Sequence, residues 1–305
     1  MEIVEKIYQI QSASPFRFPM NTYFIDDEKK CLIDTSVEKY PQTLIQGLKT
    51  IGRELTDLNY ILISHPHTEH IRSLTYIKEH FPKCQIVTSP RNADYLANYE
   101  TYNQLAFQKG TVQIDDRYKL RESIKSVKVD QIVKEGDTIN LGRYSLEILE
   151  TSGHCAEEIS FFGREQGILF SSDFIIGAEG ETWIAINPAM FEYDGNRKKY
   201  LESLQKIAQI KEEIKLILPA HGDIIYNPRE KIKELLSIAP QIDEKILKIF
   251  EDGPKTFPEV IELYHGKKFE DPQKYYNASR RMYSLLDYLI EEKRIMKKGE
   301  LYLKI

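Results

Sequence analysis

At 305 residues, of which 41% are hydrophobic, the chain is long enough to bury a full core and to carry one large domain with a small appendage. A net charge of −5 gives it no general affinity for nucleic acid, and three cysteines, an odd number, argue against a disulfide framework and for a reducing cytoplasm. It contains no run of about 18 apolar residues to span a bilayer, and the charged opening Met1-Glu-Ile-Val-Glu-Lys-Ile7 lacks the basic-then-apolar form of a secretory leader, so a cytoplasmic location is expected.

In chain order, Tyr23-Phe-Ile25 and Cys31-Leu-Ile33 flank a polar Asp-Asp-Glu-Lys turn and predict a hairpin. Ile61-Leu-Ile63 predicts a short buried strand, after which Ile71, Leu74, Ile77 and Phe81 fall near helical spacing. The segment Tyr95–Arg121 has no clear place in the core pattern. Tyr95, Tyr99 and Tyr102 share one helical face, which suits a substrate-side cap or an ordinary packed helix. Two further apolar runs, Leu146-Glu-Ile-Leu149 and Leu216-Ile-Leu218, predict strands, and Tyr200, Leu201, Leu204, Ile207 and Ala208 have a helical period. An α+β or layered α/β domain follows, over residues 1–236.

From about residue 237 to 305 the pattern changes. Ile242, Ile246, Ile249 and Phe250 start a helix that Asp252-Gly-Pro254 ends; Phe257–Tyr264 forms a second, and Ala278–Glu292 a third, with Met282, Leu285, Leu286 and Leu289 inward. Arg294–Leu303 reads as two strands joined at Lys-Lys-Gly.

Five of the seven histidines fall in three motifs: His65, His67 and His70 in Ile63-Ser-His-Pro-His-Thr-Glu-His70, His154 in Thr151-Ser-Gly-His154, and His221 in Leu218-Pro-Ala-His-Gly222. Asp173, in Leu169-Phe-Ser-Ser-Asp173, adds a carboxylate between the last two. Each motif follows an apolar strand-like run, where the chain turns into a loop and several side chains can converge on one point. A lone His154 or His221 would more often be a satisfied core or surface histidine. Imidazoles and a carboxylate delivered together from strand ends point instead to a binuclear site for zinc, iron or manganese. No nucleophile elbow, P-loop or dinucleotide fingerprint competes with it.

With these motifs in this order, the chain resembles the metallo-β-lactamase superfamily, whose signature is H-x-H-x-D-H, a lone His, a bridging Asp and a final His. The likeness covers roughly residues 1–235. It includes Met20–Ile25 and Cys31–Ser36 as the opening hairpin, with Asp34 in the place of an aspartate that orients a ligand imidazole. The resemblance implies a four-layered αββα sandwich, followed by a tail similar to the small winged-helix domain of one branch of the superfamily. It also implies two divalent transition-metal ions, zinc first and iron or manganese as alternatives. His65, His67 and His154 would hold one ion and His70 and His221 the other, with Asp173 bridging. Position 69 departs from the signature: the family has Asp, and this chain has Glu69, whose carboxylate stands one methylene further out. Glu69 and Asp173 are the candidate catalytic residues, Glu69 as a second-site ligand or as the acid that protonates the leaving group.

The leading expectation is a hydrolase of the glyoxalase II-like and lactonase-like branch, acting on a small-molecule thioester, ester, lactone or phosphoester. Two cations would lower the pKa of a bridging water from about 16 toward 7. An iron-dependent redox protein of the same fold and a non-catalytic sensor are the alternatives. In the tail, residues 240–305 carry 13 basic and 12 acidic side chains, and Arg280 and Arg281 face competition from Asp287, Glu291 and Glu292, which disfavours DNA binding. Packing on the larger domain, shaping its pocket or building a homodimer is expected instead. Cys155 reads as a small buried residue beside a ligand, Trp183 and Tyr193 as core residues or an aromatic wall, and His80 and His265 as ordinary surface residues.

Overall fold

The computed structural model describes residues 1–13, 19–102, 124–177 and 195–305. A seven-stranded sheet is built from β1 (Glu2–Val4), β2 (Ile7–Ser12), β3 (Met20–Ile25), β4 (Lys30–Ile33), β5 (Leu58–Leu62), β6 (Gln85–Thr88) and β7 (Gln131–Ile132), in that order. The first four strands pair antiparallel and the last four parallel. The predicted hairpin is β3–β4, with Tyr23 opposite Ile33 and Ile25 opposite Cys31.

Side chains along these strands alternate between two cores, as the pleat requires. Tyr23, Ile25, Cys31, Ile33, Leu62 and Val87 point to one side, while Phe24, Leu32, Ile61 and Ile86 point to the other. The outer core is closed by α1 (Gln42–Thr50), α3 (Leu74–His80) and α4 (Pro90–Ala97), which supply Leu44, Leu48, Leu74, Ile77 and Leu96. A one-turn helix, α2 (Thr68–Ile71), precedes α3.

The inner core is shared with a second, five-stranded sheet. Its order is β12 (Leu216–Pro219), β11 (Ile168–Ser172), β10 (Ile159–Gly163), β9 (Ser145–Glu150) and β8 (Thr138–Asn140). β9 and β11 are each antiparallel to β10, and β11 is parallel to β12, so β9, β11 and β12 all run the same way. Ile148, Phe161, Phe170 and Leu218 face the first sheet, and Leu149, Phe162, Leu169 and Ile217 face outward. The outward set is covered by α5 (Arg197–Gln209), through Tyr200, Leu204 and Ile207, and by α6 (Pro228–Ile249), through Ile232 and Leu235. The result is the expected helix–sheet–sheet–helix order. The C-terminal ends of β9, β11 and β12, with the ends of β4 and β5 in the facing sheet, supply the segments that carry the histidine and aspartate motifs.

The helix expected to start near Ile242 starts at Pro228 and is 22 residues long. Ile232, Leu235, Ala239, Ile242 and Ile246 keep one apolar stripe through the 236/237 division, and Pro240 removes one helical hydrogen bond without ending the helix. The first half of α6 therefore belongs to the core of the sandwich and the second half to a separate core. That core also holds α7 (Phe257–His265), α8 (Pro272–Glu291) and a small antiparallel sheet in the order β13 (Lys255–Thr256), β15 (Leu301–Lys304), β14 (Ile295–Lys298). Gly299, at φ 61°, makes the turn between the last two strands, as expected at Lys-Lys-Gly. Ile238 packs against both cores and joins them.

Tyr99 and Tyr102 are buried in the outer core of the first sheet, so the described part of the Tyr95–Arg121 segment is packed structure and not a cap. Its remainder, from residue 103 on, lies outside the described residues, as do Trp183 and Tyr193.

Candidate metal centre

Six of the seven predicted ligands are buried at one edge of the two sheets, and Glu69 is partly exposed above them. His65 and His67 lie in the loop after β5. Glu69 and His70 sit in α2, where a loop was expected, His154 follows β9, Asp173 follows β11 directly, and His221 follows β12. All seven come together in two groups that share Asp173. His65, His67, His154 and Asp173 form one, and Glu69, His70, Asp173 and His221 the other, each with its potential ligand atoms within 4.8 Å of one another.

Distances within the first group suit a cation. His67 Nδ1 lies 2.9 Å from His65 Nε2 and 2.9 Å from His154 Nε2. His67 Nδ1 has either one proton to give or one lone pair to receive with and cannot serve both neighbours well, whereas one tetrahedral ion bound at 2.0–2.1 Å holds its nitrogens about 3.3 Å apart. Asp173 reaches both groups, with Oδ2 3.5 Å from His154 Nε2, and Oδ1 3.6 Å from both His70 Nε2 and His221 Nε2. Asp173 Oδ1 and His70 Nε2 are buried and face each other at 3.6 Å, too far for a good hydrogen bond. Such atoms are costly to bury, and a shared cation is the partner their chemistry calls for. The donor set therefore fits a pair of divalent ions.

Electrostatics put His65 and Asp173 in the forms that a metal ligand needs. Burial, reinforced by the neighbouring His70, holds the His65 imidazole well below its usual range and so in the neutral form a ligand needs. Burial alone would raise the Asp173 carboxyl, but His221, His70 and His154 outweigh it and keep the group ionised. Burial also opposes charge on His70. Asp34 and Asp173, one at either side of the ring, override it and draw positive charge to that imidazole. Glu69 is raised, first by its burial among these groups and then by Asp173, against the opposite pull of His70 and His221.

The backbone behind the donors is held by polar side chains. Asp34, in the left-handed region at φ 60°, accepts from Ser64 N–H through Oδ1 at 2.9 Å and meets His70 Nδ1 through Oδ2 at 2.8 Å. It thus fixes the orientation of the His70 imidazole. Ser64 Oγ hydrogen-bonds with His65 Nδ1 at 2.9 Å and with Ser172 Oγ at 2.6 Å, and Ser172 is itself left-handed at φ 49°. Backbone held in that region at both strand ends is maintained by the hydrogen bonds around it.

Several contributors escaped the sequence reading. Glu158 is fully buried, accepts from the Asp173 N–H at 2.9 Å and lies 3.9 Å from His65 Nδ1; burial and the nearby Asp173 push its carboxyl well up. Asn21 donates to the carbonyls of Pro219 and Gly222, at 3.0 and 2.9 Å, and so fixes the loop of His221. Asn92 donates to the carbonyls of Ser64 and Glu157. Cys155 is buried and stands in neither donor group.

Residues 16–221 match the Metallo-beta-lactamase superfamily, a span that includes all seven donors. The chain belongs to that superfamily. Its fold superposes on the crystal structure of a metallo-beta-lactamase family protein from Thermus thermophilus with a TM-score of 0.82, covering 100% of both chains at 19% identity. That likeness is one of fold, and it runs through the tail. Among sequence relatives, a hydroxyacylglutathione hydrolase of Rhodopseudomonas palustris is 27% identical over 175 residues, 57% of this chain and 51% of its own. A nitric oxide reductase of Moorella thermoacetica is 26% identical over 219 residues, 67% of this chain and 49% of its own.

Proposed function

We propose that the protein is a binuclear metal-dependent hydrolase that cleaves a small-molecule thioester, ester, lactone or phosphoester at this centre. The observation that carries the reading is Asp173, whose two carboxylate oxygens face two different sets of imidazoles. That is the arrangement needed to hold two cations beside a single reacting bond.

His65, His67 and His154 would hold one ion, His70 and His221 the other, with Asp173 between them and Glu69 at the more open end of the second group. When bound, the pair of ions supplies hydroxide at neutral pH and an electrophilic clamp on a substrate oxygen. The chain's own residues do the rest. Asp34 fixes which nitrogen His70 presents, Ser64 does the same for His65, and the buried walls exclude bulk water from the inner group. Glu69, partly exposed at the open end of the second group, is placed to ligate that ion or to pass a proton to a departing oxygen or sulfur.

The name of the hydroxyacylglutathione hydrolase supports the hydrolytic reading, and that of the nitric oxide reductase supports a redox alternative, in which the same donors hold iron. Zinc and manganese belong to the first and iron to the second. Protein purified without added metal is expected to carry zinc or manganese and to turn over at least one substrate in a panel of thioesters, lactones and phosphodiesters. Tightly held iron with oxygen consumption would favour the redox alternative, and bound metal with no turnover a sensor.

A further inference from the structure

Arg197, the first residue of α5, is buried at 1% exposure and lies outside both donor groups. Its Nε and Nη2 both donate to Asp243 Oδ1, at 3.1 and 2.8 Å, and Nη2 also donates to the Ala239 carbonyl at 2.8 Å. The ring of Tyr288 stands 5.5 Å from the guanidinium carbon. Ala239 and Asp243 belong to the second half of α6 and Tyr288 to α8, so this one side chain of the sandwich is gripped by the tail. An apolar pair of the same volume would stabilise the contact as well or better, because desolvating two charges offsets most of their attraction. What the ion pair adds is register, since it fixes the first turn of α5 against α6 at defined atoms.

The first two turns of α5 rest on the loop of a predicted ligand. The Asn196 N–H donates to the Gly153 carbonyl at 2.8 Å, and Ser203 Oγ donates to the Ser152 carbonyl at 2.8 Å. Gly153 is at φ 145°, and the backbone of Tyr200 lies so close that a Cβ on Gly153 would come within 2.4 Å of the Tyr200 Cα. The next residue is His154. The partners of the second group are placed by different means, His70 by Asp34 and by Thr35, and the His221 loop by Asn21.

We propose that Arg197, through its pair with Asp243, is a positioning residue by which the tail sets the place of the Ser152–Gly153–His154 loop and so the geometry of the His65, His67, His154 and Asp173 group. The inference rests on the metal-binding reading of that group. Cobalt(II) titration of the full-length, metal-free protein, followed by absorption and by chelator competition, tests it in the wild type, in Arg197→Lys and in Arg197→Met/Asp243→Leu. The double variant removes both charges together and is expected to melt near the wild-type temperature. One of its two cobalt ions should bind about 10-fold more weakly, with an altered absorption band, while the other is unchanged, and Arg197→Lys should fall between. Both ions bound with wild-type affinity and spectrum in a folded variant, or both weakened together, would overturn the inference. If the double variant does not fold, Arg197→Lys decides by the same readout. A wild-type protein that binds no cobalt would bring down the metal-site reading as well, so the two failures are distinct.

Discussion

Glu69 concentrates the question of what this centre does. It is the one residue that departs from the superfamily signature, it stands on a one-turn helix, and its carboxylate still reaches the group formed by His70, Asp173 and His221. Replacing it by the shorter Asp withdraws the carboxylate from a backbone position that now serves Glu, and a misplacement of about 1 Å in a catalytic group costs on the order of 100-fold in rate. Glu69→Asp is therefore expected to lower turnover or second-site affinity, and Glu69→Gln, which keeps the size and loses the charge, to weaken the second site. Metal stoichiometry and kinetics unchanged in both variants would remove Glu69 from the centre. The clustering of the seven candidate donors was legible in the sequence because each belongs to a short motif tied to a strand end. Glu158 and Asn21 were not, because each acts on a partner that only the assembled fold brings close: Asp173, at the end of the neighbouring strand, for Glu158, and the His221 loop of the facing sheet, about 200 residues away, for Asn21.

The loop Ser152–Gly153–His154 shows how elements constrain a single donor. Gly153 is at φ 145° with no room for a side chain, so Gly153→Ala combines backbone strain with a clash against the backbone of α5. A loss of roughly 2–4 kcal/mol in denaturant unfolding of the metal-free protein is expected, together with weaker metal binding. Wild-type stability in this variant would show that α5 does not sit where described. In the tail, His265 differs from the surface residue that its lack of a motif suggested. It lies between the rings of Tyr264 and Phe269, at 5.1 and 5.2 Å, and burial together with Arg281, Lys245 and Lys267 lowers its pKa from 6.5 to about 4. Because the folded chain then resists a proton that the unfolded chain accepts, this residue's contribution to stability is complete above pH 6.5 and is lost as the pH falls toward 4. His265→Gln should flatten that part of the stability profile of the protein, and an unaltered profile would contradict the assignment. Most elements were readable from periodicity, the opening hairpin and the strands before the ligands above all. The true start of α6 was not, because its apolar stripe serves two cores in succession and gives no sign where one ends.

For the molecule as a whole, the sandwich and the tail are held together by α6, by Ile238 and by the buried Arg197–Asp243 pair. No described helix is long and apolar enough to cross a membrane. We read the tail as a winged-helix-like unit that supports the sandwich or builds a homodimer, in preference to a DNA-binding module. Truncation at Ser237 cuts α6 in its middle, removes Asp243 and uncovers the apolar stripe, so the shortened protein should aggregate or change its oligomeric state in size-exclusion chromatography. A monodisperse truncated protein of unchanged state would contradict that reading. Salt-sensitive, submicromolar binding of duplex DNA by the intact chain would show instead that the tail's basic residues serve nucleic acid.

The central claim is that one carboxylate serves two cations, and elemental analysis of the intact protein beside Asp173→Ala measures it most directly. Two transition-metal ions per chain are predicted for the wild type, with metal content and turnover falling together in the variant. Full metal retention and full turnover in Asp173→Ala, or a wild-type protein that carries no transition metal even after incubation with zinc, manganese or iron, would contradict the account.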